Sequence, residues 1–218
     1  MGLVIAIDGP AGSGKGTCAK IIADKLGLVN INTGSMYRCV ALACINNGIK
    51  SENEQKKIIE LSKKIKIELD KDGHTFLDGE DVSNRIREKD VSALVSRISS
   101  ITKVREEMVR QQREISKGLD VVMEGRDITT VVFPNADYKF YLDATIEERV
   151  KRRLIQNQES DIKMSTEEIK KSIEKRDYDD THKDFGALMR TDDQIYIDST
   201  NMSIEQVAEY MINKIKEN

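Results

Sequence analysis

Short aliphatic runs alternate with amphipathic stretches along most of this chain. The runs at 3–8, 27–31, 119–123, 137–142 and 194–198 are a few residues long, rich in aliphatic or aromatic side chains, and followed by polar loops. That pattern predicts strands. Helix starts are marked between them by Ser51-x-x-Glu54, Thr145-x-x-Glu148, Ser165-x-x-Glu168 and Ser203-x-x-Gln206, each a capping-box pattern ahead of an amphipathic stretch. The last stretch sets Ile204, Val207, Ala208, Met211, Ile212 and Ile215 on one helical face. Strand–helix alternation of this kind predicts an α/β fold: a central parallel sheet with helices on both faces.

Two segments interrupt the alternation. Residues 65–83 read as a small β-meander: Ile65, Ile67 and Leu69 alternate, a turn follows at Lys71-Asp72-Gly73, then Thr75-Phe76-Leu77, a turn at Asp78-Gly79, and Val82. Residues 155–188 are highly charged, with a helix predicted at about 166–178 and few large apolar residues. Such a segment is expected to bury little and to be exposed and mobile.

The first aliphatic run, Leu3 to Ile7, leads into Gly9, Pro10, Ala11, Gly12, Ser13, Gly14, Lys15, Gly16 and Thr17. Two glycines five apart, then Lys and a nearby hydroxyl, form a phosphate-binding pattern whose backbone N–H groups turn inward on phosphate oxygens. The helical pattern that follows (Cys18, Ile21, Ile22, Leu26) points a helix N-terminus at the same anion. A strand before the loop and a helix after it are the context this motif requires, so the chain is expected to bind a nucleoside triphosphate.

Composition narrows the class further. The 218 residues are 39% hydrophobic and 33% charged, with a formal net charge of −3, so no global basic field draws nucleic acid. Lys151-Arg152-Arg153 follow Glu147-Glu148 and read as a solvated helix face. Cys18, Cys39 and Cys44 lack metal-type spacing and read as buried thiols of a reducing compartment. His74 and His182 are too far apart in sequence to suggest a zinc site. No secretion signal or long apolar run is evident, so a cytoplasmic protein without nucleic-acid or membrane partners is expected, and a monomer.

Gly16 after Lys15, with the hydroxyl delayed to Thr17, is similar to nucleoside monophosphate kinases more than to GTPases, and no Asn-Lys-x-Asp guanine-reading tetrapeptide occurs. Three constellations sharpen this: Asn32-Thr33-Gly34-Ser35-Met36-Tyr37-Arg38 beyond the second strand, Met123-Glu124-Gly125-Arg126-Asp127 at the end of the third, and Arg176-Asp177-x-Asp179-Asp180-x-x-Lys183 in the charged segment. In a doubly wound sheet the first two fall at carboxyl ends of strands, where ligands bind. Arg38, Arg126 and Arg176 are therefore expected to converge on phosphates, as phosphoryl transfer needs.

With the inserted meander, these residues closely resemble bacterial cytidylate kinases over essentially the whole chain. Gly79-Glu80-Asp81-Val82-Ser83, the run Val104 to Arg113 and the run Gly125 to Ala136 carry the resemblance as well. It implies a P-loop NTPase fold divided as 1–62 core, 63–90 nucleoside monophosphate-binding insertion, 91–154 core, 155–188 mobile helical lid and 189–218 core. The implied reaction moves the γ-phosphoryl of ATP onto CMP or dCMP with Mg²⁺. Lys15, Arg126, Arg176 and Lys183 would be catalytic, with residues 9–17 holding ATP and Thr17 near the metal. Ser35, Tyr37, Arg38, Gly125 and Arg126 would hold the acceptor, with Arg176 spanning donor and acceptor.

Base choice would fall to Ser96, Arg105 and Asp127, because cytosine offers an amine donor beside acceptors and uracil reverses that pattern. Asp180 would touch the ribose. Ser96 reads equally as a helix-surface hydroxyl, Asp127 as an ion-pair partner of Arg126, and Asp180 as part of a solvated acidic loop. Other readings are a kinase for UMP, dTMP or AMP, or a non-catalytic nucleotide switch. The chain departs from the family's pattern at Asn32 (usually Asp), Thr129 (usually Gly), Lys183 (usually Arg) and Ala187 (usually Pro).

Overall fold

In the computed structural model, residues 2–49, 51–70, 73–159 and 163–217 are described; Lys71 and Asp72 of the expected turn, and residues 160–162 of the expected lid, lie outside them. Along the chain, β1 (Val4–Asp8), α1 (Lys15–Leu26), β2 (Val29–Asn32), α2 (Thr33–Asn46) and α3 (Gln55–Lys64) come first. Next are β3 (Ile67–Leu69), β4 (Thr75–Leu77), β5 (Glu80–Asp81), α4 (Lys89–Ser99) and α5 (Thr102–Ile115). The chain closes with β6 (Val121–Gly125), β7 (Tyr138–Asp143), α6 (Ile146–Glu159), α7 (Thr166–Thr181), β8 (Ile195–Asp198) and α8 (Ile204–Lys216). Two compact units result: one holds Val29–Val121 and the residues before Val4, the other Val4–Leu28 and the chain from Val122.

The second unit is a parallel α/β layer, as the alternation predicts. Its strands run in the order β6-β1-β7-β8. β1 and β7 pair in parallel from Ile5 with Tyr138 to Asp8 with Tyr141, and β7 and β8 from Phe140 with Ile195 to Asp143 with Asp198. All five residues of β1 are buried, which is why it reads as a continuous aliphatic run rather than an alternating one. α8 packs on α1 and buries Val207, Ala208, Met211 and Ile212.

The first unit is organised on α2, whose residues Met36, Cys39, Val40, Leu42 and Cys44 are fully or almost fully buried. α4 and α3 pack against it. Residues 67–81 form the three-stranded antiparallel sheet β3-β4-β5. Ile67 and Leu77 face one another inward and Glu68 faces out, the period-2 pattern of its sequence. Asp78 (φ 52°) and Gly79 (φ 87°) are both left-handed, as a type I′ hairpin turn requires.

Helix starts depart from the pattern at two places. Ser51 accepts from the N–H of Asn53, not Glu54, so a 3₁₀ turn covers Glu52–Glu54 and α3 starts at Gln55. The Glu54 carboxylate engages Lys57. Thr145 receives only a long bond from the Glu148 N–H, 3.4 Å, and the Glu148 carboxylate pairs with Arg152 while the Thr145 N–H donates to Thr200. The boxes at Ser165 and Ser203 form both bonds.

Most described residues of 155–188 are exposed, as expected, but the segment is seated by a few buried side chains. α7 extends to Thr181 and carries Ile169 and Ile173, spaced by four, into a cluster with Ala11 and Val150, flanked by Ile146 and Leu154. Two apolar residues on one face seat an otherwise charged helix. Among the described residues no helix is long and apolar enough to cross a membrane.

Replacing Ile169 (1% exposed) with Ala should lower stability by about 2–4 kcal/mol. The same change at Ile155, 49% exposed, should cost less than about 0.5 kcal/mol. Urea denaturation of both variants measures this; equal effects would contradict the packing of α7.

Candidate active site

The loop between β1 and α1 is fixed by close approach at its start and left open at its end. Gly9 sits at φ 152°, and a Cβ there would lie 2.0 Å from the Leu142 carbonyl oxygen of β7. Gly14, left-handed at φ 96°, is the N-cap of α1 and supplies no side chain to cap it. The first-turn N–H groups of α1 thus point into the loop with no side-chain cap and no acidic residue in that turn, an arrangement suited to an anion.

Side chains from α6 and α7 hold the loop's outer backbone. The Ala11 N–H donates to Asp177 at 3.0 Å, and the Ala11 carbonyl accepts from Arg149 at 2.9 Å. Arg149 and Asp177 also pair with each other. Arg152 donates to the Ser13 carbonyl at 3.1 Å and to Ser199. Arg152 therefore does not belong to a solvated face, in contrast to Lys151, whose side chain is 71% exposed. Arg149 and Arg152 lie three apart on one face of α6, a spacing visible in the sequence; their partners are not.

Lys15 is almost wholly buried, and its Nζ folds back to donate to the Pro10 carbonyl (2.7 Å) and the Ser13 hydroxyl (3.2 Å). Burial, reinforced by the charge of Arg126, pushes its ammonium down to about 7, with Glu124 opposing. Among the described residues both hydrogen-bond partners of this lysine are neutral oxygens.

The third constellation closes on the second. Arg126, at the end of β6 after Gly125, donates from Nε to Asp180 at 2.6 Å. Lys183 donates to the other oxygen of Asp180 at 2.5 Å, and Arg176 Nε stands 4.0 Å away. Burial alone would raise the Asp180 carboxyl, but Arg126, Lys183 and Arg176 outweigh it and hold it well below the usual carboxylate range. Asp180 is 6% exposed, so it is not part of a solvated acidic loop. Arg126, Arg176, Asp180 and Lys183 are thus one cluster, and Asp127 is buried next to it in sequence.

Sequence reasoning passed over Asp8, fully buried at the end of β1, which accepts from the N–H groups of Ile128 and Thr129. Burial lifts its carboxyl to about 6, against the lowering effect of those bonds. A polar residue closing an all-aliphatic strand was the available signal.

The first unit holds Ser35, Tyr37, Arg38, Ser96 and Arg105. Asn32 caps α2 by accepting from the Ser35 N–H at 2.9 Å, so its amide oxygen keeps the capping role an Asp would have. Arg38, half-buried on α2, donates to the Ile86 carbonyl and the Ser92 hydroxyl at 2.9 and 2.8 Å. Ser96 lies one turn beyond Ser92 on α4 and is half-buried. Arg105 is buried on α5, bonded to the Ser99 carbonyl, with its guanidinium 5.3 Å from the Tyr37 ring centre. Tyr37, Arg38 and Arg105 thereby place two arginines and an aromatic ring in one unit.

The cytidylate kinase family model matches residues 5–217. Cytidylate kinase of Caldicellulosiruptor bescii is 45% identical over 212 residues, covering 95% of this chain and 93% of that protein. That of Clostridioides difficile is 43% identical over 213 residues, with 98% of each covered, and that of Thermotoga maritima 39% over 217, covering 100% and 98%. Among solved structures, an uncharacterised protein from Eubacterium ventriosum superposes with a TM-score of 0.56 at 12% identity over the full length of both chains. Shikimate kinase from Bacteroides thetaiotaomicron gives 0.51 at 12% identity and 98% coverage of each. The two structures share the fold; the sequence relatives and the family model show more, and on them the chain belongs to the cytidylate kinase family.

Proposed function

We propose that the protein transfers the γ-phosphoryl group of ATP to CMP or dCMP, giving ADP and CDP or dCDP. The observation that carries this reading is the set of cations beside the glycine loop: Arg126 and Lys183 pair with the buried carboxylate of Asp180, Arg176 stands 4.0 Å from it, and buried Lys15 feels the charges of Arg126 and Arg176. Family membership supplies the acceptor class.

Residues 9–17 would cradle the ATP phosphates, with Lys15 moving from the Pro10 carbonyl to the β- and γ-phosphate oxygens. Arg38 and Arg126 would hold the acceptor phosphate, with Ser35 and Tyr37 beside Arg38 in sequence, and Gly125 would let the backbone come close. Arg176 and Lys183 would stabilise charge on the transferring group, releasing Asp180 to the acceptor ribose. Ser96, Arg105 and Asp127 would read the cytosine edge. In this division 63–90 serves as the monophosphate-binding insertion and 155–188 as the lid.

No proton abstraction is needed, because the attacking phosphate oxygen is already ionised; positioning and charge neutralisation carry the reaction. Thr17 is exposed at the first turn of α1, and its hydroxyl fits Mg²⁺, which takes one or two protein ligands and completes its shell with phosphates and water. When bound, Mg²⁺ would neutralise charge on the β- and γ-phosphates.

Lys15→Ala should reduce CMP-dependent ADP release by at least about 100-fold with an unchanged circular dichroism spectrum. Near-normal turnover would contradict the donor site. Asp127→Asn should erode the kcat/KM preference for CMP over UMP, and an unchanged ratio would remove Asp127 from base reading.

Burial and the charge of Arg126 push the Lys15 ammonium well below its ordinary range. Phosphates favour its charged form, so ADP binding above neutral pH should take up protons, with uptake fading toward pH 6. Titration calorimetry in two buffers of different ionisation enthalpy reads the uptake; Lys15→Met should abolish it, and a wild-type protein with none would contradict the assignment.

A further inference from the structure

The Asp8 carboxylate does more than end a strand. Its Oδ1 accepts from the Ile128 N–H at 2.9 Å, and its Oδ2 from the Thr129 N–H at 2.8 Å and the Thr129 hydroxyl at 2.6 Å. That hydroxyl, having donated to Asp8, accepts from Gln194 Nε2 at 2.5 Å. The Gln194 amide oxygen in turn accepts from the Thr191 N–H at 2.8 Å. Asp8, Thr129 and Gln194 are all buried, so these bonds do not compete with water.

The backbone they grip is unusual. Residues 128–132 form a single π-helical turn, in which the Val131 and Val132 N–H groups both converge on the Asp127 carbonyl. Such isolated turns concentrate at functional sites. Arg126 and Asp127 stand directly before it, and their placement depends on where residues 128 and 129 are held.

We propose that Asp8 is a positioning residue for Arg126 and Asp127, and that the Thr129 hydroxyl couples this grip to Gln194. The inference rests on the acceptor-site reading above. Loosening the turn displaces the residues assigned to the acceptor, while the loop that takes ATP is held separately by Arg149, Arg152 and Asp177. The defect must therefore appear in acceptor kinetics.

Thr129→Val keeps the shape of the side chain and removes its hydroxyl; Thr129→Ser keeps the hydroxyl. For Thr129→Val, kcat/KM for CMP should fall about tenfold while the KM for ATP stays within about twofold, and Thr129→Ser should stay within about twofold of wild type on both substrates. Asp8→Asn should shift the same parameter further; should it fail to fold, the Thr129 pair decides. Unchanged CMP kinetics in Thr129→Val, a KM for ATP raised as much as that for CMP, or a Ser variant as impaired as Val would each overturn the proposal. A wild-type protein without CMP-dependent ADP release would overturn the acceptor reading itself, and this proposal with it.

Discussion

Buried positive charge has to be neutralised by something. A site that stabilises transferring phosphate needs cations shielded from water, where their field is strong, yet the same burial makes them costly before the ligand arrives. In this structure one carboxylate, Asp180, receives Arg126 and Lys183 directly and stands near Arg176. Lys15 meets its own burial differently, by a lowered ammonium pKa and two neutral oxygen partners. Both arrangements are reversible, and both are improved by an arriving phosphate, which offers several charged oxygens at once.

Rigidity around the loop complements this. Gly9 lets β1 approach β7 too closely for any Cβ, so the loop leaves the sheet in one direction. Arg149 and Asp177 bracket the Ala11 peptide from both sides, and Arg152 fixes the Ser13 carbonyl. Because Asp177 and Asp180 both lie on α7, the same helix that touches the loop also carries the counter-charge for the cations. The Ile169 and Ile173 contacts with Ala11 and Val150 add an apolar seat to that attachment.

Local pattern made most of the fold legible. Aliphatic runs gave each strand to within a residue or two, and the boxes at Ser165 and Ser203 marked α7 and α8 correctly, because capping is decided by residues three apart. The Asp-Gly turn announced the β4–β5 hairpin for the same reason. What the sequence hid were bonds between distant positions: Arg149 reaches Ala11 across 138 residues and Asp8 reaches Thr129 across 121. Charge runs misled in the other direction. Arg152 and Asp180 sit in segments that read as solvated, and each is drawn inward by a partner far along the chain, Ser199 and Arg126 respectively.

Under the proposed function, the cations beside the glycine loop hold the phosphates of ATP and of a cytosine monophosphate. ADP release from ATP, followed with CMP, dCMP, UMP, dTMP and AMP in turn, tests it most directly. Turnover with CMP or dCMP is expected at a kcat/KM at least about 100-fold above that of UMP, since a site bonded to cytosine's polar edge leaves buried groups unpaired against uracil. ADP release independent of any acceptor, or UMP or AMP serving as well as CMP, would contradict it.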